Sequence, residues 1–426
     1  MFFSTKKSKF LSVSICLIFL LLIPAQQISA FELDCDYGVR LDTTDAMADL
    51  YSYQRRLSPW ISIKFPVLNG IQFDGQISGY IRFNPKNDIF RPLVDVDMFR
   101  VMTAVPFLNG RTTFELGRIH MQDTRGMVIN QAVDGVGMHI TLPRMLMDLY
   151  ATYTGWTNHF TTNTLLSSDD IADASNKNDR FYAFGARRIV VAHSVYFPQF
   201  FGRADVYGDM IANIDVRKRI QEWKWTKKFA AQKPVKEEVH SVYLGSGITG
   251  PFAKSNTVYY HLGGVIEYMY RNSPVKSEGY ISGYFDGGIK WLMNPTMQLS
   301  TRLQWGPKNR EGQSEYRPIT YKSAGILYEG GFNGLLKPEL EFKWKCLPQW
   351  ILSTGIYSFL LPKPVNTGFT RKSFESIYKY TEFMIGADGI IAGDIQLTTE
   401  FVYGVDSHRE KRSREFAMRL NCHLGL

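Results

Sequence analysis

Apolar residues recur at every second position in segment after segment of this chain. In the last stretch Phe416, Met418, Leu420, Cys422, Leu424 and Leu426 alternate with Ala417, Arg419, Asn421, His423 and Gly425. A strand turns successive side chains to opposite faces, so this stretch has one oily face and one polar or small face. Ile71, Phe73, Ile77, Ile81 and Phe83 stand in the same way against Gln72, Asp74, Gln76, Ser78, Tyr80, Arg82 and Asn84. Further on, Leu340, Phe342, Trp344 and Cys346 oppose Glu339, Glu341, Lys343 and Lys345, a row of charges that a water-filled interior accepts.

The connections supply the architecture. Asn69-Gly70 and Asn109-Gly110 are hairpin turns of the type that two-residue connections favour. Counted back from the C-terminus, links alternate long and short: 406–413, 392–393, 362–376, 347–348, 306–321 and 294–295, continuing upstream through 271–278, 253–256, 217–238, 197–202 and 158–179. Long loops on one side and tight turns on the other are the grammar of an outer-membrane barrel. The pattern predicts an all-β, antiparallel up-and-down transmembrane barrel of about 18 strands, with 16 as the alternative. That count takes Phe31 to Leu41 as the first strand, Thr43 to Ser58 as a polar connection, and Lys322 to Cys346 as one long strand interrupted near Gly330-Gly331. An even number of strands brings both ends to the periplasmic side, where they pair and remove every open edge.

Two local features stand out. The alternation slips at Gly117, where a one-residue bulge would place Glu115, Arg118, His120 and Gln122 on the polar side. The connection from Asp123 to Asp134 carries Met127-Val128-Ile129 and Ala132-Val133, too apolar for an exposed loop, and is expected to fold inward and pack.

Lys6, Lys7 and Lys9 precede an apolar run from Phe10 to Ile23, and Ser29-Ala30 offers small residues for cleavage, which marks residues 1–30 as a signal peptide and 31–426 as a single barrel domain. Removing those three lysines from the formal charge of +9 leaves +6, a mild excess that argues against a nucleic-acid partner. No later apolar segment approaches the ~20 residues of a spanning helix. The most basic segment, 217–238, holds Lys and Trp together and reads either as a solvated loop or as a site for anions or lipid headgroups. The chain lacks Gly-x-Ser-x-Gly, His-Glu-x-x-His and phosphate-cradling Gly-Lys-Ser/Thr motifs, and its eight His are scattered, so no enzyme chemistry, metal or cofactor is expected. Cys35 and Cys422 sit near the two ends on apolar parity, placed either to pair across the closing seam or to stand as two lipid-facing thiols.

Residues 113–118 (Thr-Phe-Glu-Leu-Gly-Arg), 123–126 (Asp-Thr-Arg-Gly) and 133–136 (Val-Asp-Gly-Val) resemble a Gly-Arg, Asp-x-x-Gly and Asp-Gly-Val run in outer-membrane porins of the alginate-export and related substrate-specific type. The resemblance implies a barrel of about eighteen strands with loops folded into the lumen, Arg118 as a lumenal arginine, and a constriction from Asp123 to Asp134 that includes Arg125. The expected pore lining is Arg82, Asp95, Asp97, Glu115, Arg118, Lys290, Arg302, Glu339, Glu341 and Lys343. This mixture of signs departs from the arginine-dominated interior of that family and tells against a polyanion as solute. The expected function is passive diffusion of small polar or charged solutes across a bacterial outer membrane, the alternative being a non-conducting barrel that serves as an adhesin or structural protein. Expected partners are outer-membrane lipid, the solutes, and the barrel-assembly machinery through the C-terminal strand.

Overall fold

The computed structural model describes residues 34–47, 51–65, 70–84, 89–158, 162, 164–170, 182–217, 237–252, 255–307, 316–328, 331, 332, 334–361, 378–392, 395–406 and 414–425. The signal-peptide expectation and most of the basic segment, 218–236, lie outside these residues. The strands are β1 (Asp34–Met47), β2 (Tyr51–Phe65), β3 (Ile71–Asn84), β4 (Ile89–Phe107), β5 (Gly110–Gln122), β6 (Asn130–Leu142), β7 (Met145–Tyr153), β8 (Arg188–Phe201) and β9 (Ala204–Asp215) in the first half. The second half holds β10 (Glu238–Pro251), β11 (Val258–Asn272), β12 (Ser277–Asn294), β13 (Met297–Gly306), β14 (Leu335–Leu347), β15 (Trp350–Leu360), β16 (Tyr378–Ala392), β17 (Ile395–Asp406) and β18 (Arg414–Gly425).

Each strand pairs antiparallel with its sequence neighbour, and β1 also pairs with β18, so the eighteen-stranded sheet closes on itself. Closure follows from the chemistry of the two faces. Outward positions such as Leu57, Leu116, Met210, Ile266, Ile281 and Ile385 stay exposed with nothing of the protein to cover them. An apolar outer face of this kind is stable only in hydrocarbon, where an open sheet edge would leave unpaired N–H and C=O groups. The seam is sealed on the inside as well: His423 Nδ1 lies 2.6 Å from Asp42 Oδ1.

Several sequence expectations change. Thr43 to Ser58 is largely strand, because β1 and β2 run on with Thr43 opposite Arg55 and Asp45 opposite Tyr53. There both faces are polar, so the alternation that betrays a strand disappears while the ladder continues. Among the described residues of Lys322 to Cys346 the strand begins at Leu335, and residues 316–328 fold inward instead. Cys422 lies opposite Thr43, eight residues along β1 from Cys35, which faces Ile63. At ~3.3 Å per residue that is about 26 Å, far beyond the ~7 Å reach of a disulfide. Both thiols are free, and non-reducing electrophoresis of the purified chain is expected to show no band that dithiothreitol shifts.

The register through Gly117 is also unbroken, from Arg111 opposite Thr141 to Gln122 opposite Asn130, with no extra residue. Gly117 bends the strand instead, at φ 123°. A Cβ there would lie 2.2 Å from the Phe99 carbonyl oxygen. With the alternation unbroken, Ile119 and Met121 share the inward parity of Glu115 and are 0% and 1% exposed. Gly117→Ala should destabilise the barrel by at least about 2 kcal/mol, from left-handed strain and the backbone clash together. The readout is the fraction of refolded protein that shows heat-modifiable migration, and wild-type yield would rule the strain out.

The interior is not uniformly wet. Inward side chains Ile119, Met121, Tyr150, Ile211, Tyr243 and Met269 form one buried apolar cluster with Val128, Ile129, Leu166, Tyr316 and Ile319 from the infolded segments. The inward folding expected of the connection after Asp123 is part of a dry plug, and polar walls line the barrel beyond it.

Candidate functional site: the lumen and its infolded segments

The segment between β5 and β6 crosses the lumen because a single carboxylate organises it. Asp123 accepts the backbone N–H of Arg125 at 3.3 Å, Met127 at 3.0 Å, Val128 at 2.9 Å and Ile129 at 2.7 Å. Gly126 takes φ 61° to make the turn, and the Asp123 carbonyl accepts its N–H. Burial raises the Asp123 carboxyl above its ordinary range, and the backbone donors pull the other way. With its backbone satisfied, the segment can bury Met127, Val128 and Ile129 in the plug. Its polar tip reaches the far wall: Thr124 Oγ1 donates to Asp209 Oδ1 at 2.7 Å, and Arg125 pairs with Asp286. Of the predicted constriction residues, Asp123 therefore folds the segment and Arg125 anchors it across the barrel.

A second infolded segment, 316–328, was not legible as such. Glu382 on β16 accepts the N–H of Ile326 at 3.0 Å, Leu327 at 2.9 Å and Tyr328 at 2.7 Å, and Glu267 on β11 accepts the N–H of Arg317 at 3.0 Å. Carboxylates thus hold both segments by their backbones, one from within the first segment and two from the wall around the second. The two segments also hold each other: Tyr316 Oη donates to the Met127 carbonyl at 2.8 Å, and Thr320 N donates to the Val128 carbonyl at 3.1 Å. Burial pushes the Tyr316 hydroxyl well up from its ordinary value, so it stays a donor. The apolar residues Tyr316, Ile319 and Leu327 in an otherwise charged loop were the available signal.

A third contribution comes from residues 164–170. Asp170 meets Arg188 at 2.7 Å and Arg217 at 3.0 Å, and Asp215 meets Arg217 at 2.5 Å and Arg188 at 3.5 Å. Arg188, Asp170 and Asp215 are at most 2% exposed. Burial works against the Arg217 charge, but hydrogen bonding to Asp215 and the nearby Asp170 outweigh it and raise the guanidinium above its ordinary value. Two cations and two anions close this quartet without net charge, which is the arrangement that burial of ions requires.

The predicted pore-lining residues fall into two walls and an exception. On the first wall Asp97 occupies a bulge in β4 and meets Arg56 at 2.6 Å. Glu115 belongs to a ladder that runs Asp74, Arg100, Glu115, His139, Asp148 across five strands, each neighbour within 3.1 Å. On the second wall Arg302 donates to Asp286 at 2.7 and 2.8 Å, with His261 3.4 Å away. Glu339 meets Lys337 at 2.6 Å, Glu341 meets Lys343 at 3.2 Å, and Lys290 shares the inward parity of Asp286. Partial enclosure and the positive Arg302 and Lys337 lower the Lys322 ammonium below its usual range. Arg82 keeps its strand position opposite Arg91, and its side chain lies outside the described residues.

Arg118 and Asp134 are the exception. They pair with each other at 2.8 Å on the face of Leu116, which is 60% exposed, and so stand on the outer parity of the wall. The β4–β5 ladder ends at Phe99 opposite Arg118, although β4 continues to Ile89 and β5 to Gln122. At this parting Arg118 donates to the Val96 carbonyl at 3.0 Å and to the Trp156 carbonyl at 2.9 Å, and Asn158 Nδ2 donates to the Val94 carbonyl at 3.0 Å. Asp95 is buried beside the Arg118 guanidinium, 3.6 Å away. Side chains here do what a neighbouring strand does elsewhere. The expected bulge at Gly117 would have turned Arg118 inward; without it the alternation runs on, Arg118 stays with Leu116 and Ile119 meets the plug.

Among the described residues no group of three His, Cys, Asp or Glu is arranged to hold a metal ion, and no helix is long and apolar enough to cross a membrane. No family model matches the sequence, and no curated protein matches it. Solved structures do. Pseudomonas aeruginosa OccD3 (OpdP) aligns with TM-score 0.57 at 9% identity over 92% of this chain and 91% of its own. OpdK of the same organism, solved with vanillate, aligns with TM-score 0.55 at 9% identity over 92% and 98%. Pseudomonas aeruginosa OprD aligns with TM-score 0.53 at 10% identity over 92% and 96%. The chain is thus similar in fold, nearly end to end, to outer-membrane barrels of the substrate-specific porin type.

Proposed function

We propose that this protein is an outer-membrane channel through which small polar or charged solutes diffuse passively. The observation that carries the reading is the lumen itself: a closed barrel with an apolar exterior, crossed by a segment whose Arg125 is tied to Asp286 on the opposite wall. Fixed charges of both signs on facing walls orient solute and water without a catalytic group. Both chain ends and the tight turns face the periplasm, and β18 is the segment that the barrel-assembly machinery engages. One relative in fold, OpdK, is known with vanillate, and a solute of that size is the scale we assign to this lumen.

The apolar plug favours one second reading, a barrel closed to solutes that acts as an adhesin. Planar-bilayer recording separates the two, since a channel gives discrete steps and an occluded barrel none. Within the channel reading, deletion of Met127 to Ile129 should raise the step size, and an unchanged step would remove that segment from the constriction. Liposome swelling across sugars, amino acids and organic anions then identifies the solute class.

A further inference from the structure

The lipid-facing wall is not evenly convex. A trough of ≈ 1220 Å³ runs along it from the β8–β9 turn toward β14. Its floor lies low because Gly287 stands on the outward parity between Phe285 and Ile289, with Thr301 and Pro338 beside it. Leu262 and Leu303, 49% and 41% exposed, form its sides. Phe201, Phe252 and Arg203 stand at its turn end.

The dimensions match one half of a bilayer. Gly287 pairs with Leu303, and the two lie seven and six residues from the ends of the strands at the 295–296 turn. At ~3.4 Å per residue and a strand tilt of ~40°, that is about 16–18 Å, close to the ~15 Å depth of one leaflet. At the turn end Arg203 Nη2 donates to the neutral Asn256 Oδ1 at 2.6 Å, and among the described residues no carboxylate pairs with Arg203. A trough as deep as a leaflet that ends on an uncompensated cation matches an acyl chain that ends in a phosphate.

We propose that this trough binds one phospholipid from the leaflet on the tight-turn side, its chain over Gly287 and its phosphate on Arg203. The assignment rests on the membrane-spanning reading above. A second copy of the protein would offer the trough the convex wall of another barrel, which fits neither its curve nor its cation.

The test uses the full chain reconstituted into vesicles of phosphatidylethanolamine with phosphatidylglycerol, re-extracted in mild detergent and weighed by native mass spectrometry. Wild type should retain one phospholipid. Gly287→Leu, whose Cβ has the ends of the Leu262 and Phe285 side chains as its nearest neighbours, and Arg203→Glu should each lower that occupancy about tenfold or more. Heat-modifiable migration confirms that both variants fold. Independently of any variant, wild type in vesicles spiked with diacylglycerol of the same chains should prefer the phosphate-bearing lipid by about tenfold. Equal retention by the variants, no preference for the phosphate, or a dimer mass in place of bound lipid would overturn the proposal. Failure of the protein to float with vesicles would remove the channel reading too, whereas insertion without retained lipid sinks this inference alone.

Discussion

Asp286→Ala should both weaken the barrel and change what passes through it. The carboxylate is 3% exposed and neutralises Arg302 on the neighbouring strand and Arg125 from the crossing segment. Removing it strands two guanidinium groups. The loss is about 2–3 kcal/mol, less than the ~3–5 kcal/mol of a wholly buried pair, because the Arg302 and Arg125 side chains keep 32% and 27% exposure. The same change leaves an unbalanced positive wall and frees the tip of the segment. Reversal potentials across a salt gradient should therefore shift toward anions, and open-channel noise should grow as Arg125 loses its anchor. Asp286→Asn, which preserves shape but not charge, should reproduce the selectivity shift. If neither reversal potential nor noise moves, the crossing segment is not held by this pair.

The largest loss of stability is expected in the buried ion quartet beside the plug. Arg188→Ala leaves Asp170 and Asp215 in a dry environment with only Arg217 to balance them. Breaking a buried pair in this way costs about 3–5 kcal/mol, visible as an earlier urea midpoint of the folded barrel. The double variant Arg188→Met, Asp170→Leu removes one charge of each sign and leaves Arg217 with Asp215. It should recover much of the loss, since apolar replacement of a buried ion pair is often neutral. A double variant as unstable as the single one would show that the quartet positions the chain by geometry rather than by charge balance.

The wall was legible in the sequence and the plug was not, for one physical reason. A strand's face is set by its immediate neighbours, so Gln72 to Arg82 and Glu339 to Lys345 announce a wet side at a period of two. The eighteen strands follow from turns such as Asn109-Gly110 and from alternating link lengths. The infolded segments depend on partners remote in the chain: Glu382 holds residues 326–328, Glu267 holds Arg317, and Asp170 meets Arg188 and Arg217. No local pattern encodes those meetings. The apolar run at 127–129 did betray itself, because hydrophobic residues in a connection have nowhere to go but inward. At Gly117 the apolar Ile119 and Met121 suggest a slipped register, but the plug accepts them on the inner face, so the alternation runs on unbroken and Arg118 stays on the outer one. The strands β1 and β2 were cut short for the opposite reason, since above the apolar band both faces meet water and the binary code falls silent.

The parting of β4 from β5 also sets a timetable. Val94 and Val96 give their carbonyls to the side chains of Asn158 and Arg118 rather than to the backbone of an adjoining strand, and Asn158 follows β7 in the chain. That stretch of wall stays unfinished until three later strands have formed and the chain has doubled back over it. The amides of β4 above Phe99 that point away from β3 should accordingly gain protection late in pulsed hydrogen exchange during refolding, lagging those of β5 and β6. Assembly in this region is ordered by a latecomer, not by the simple zipping of each hairpin onto the last.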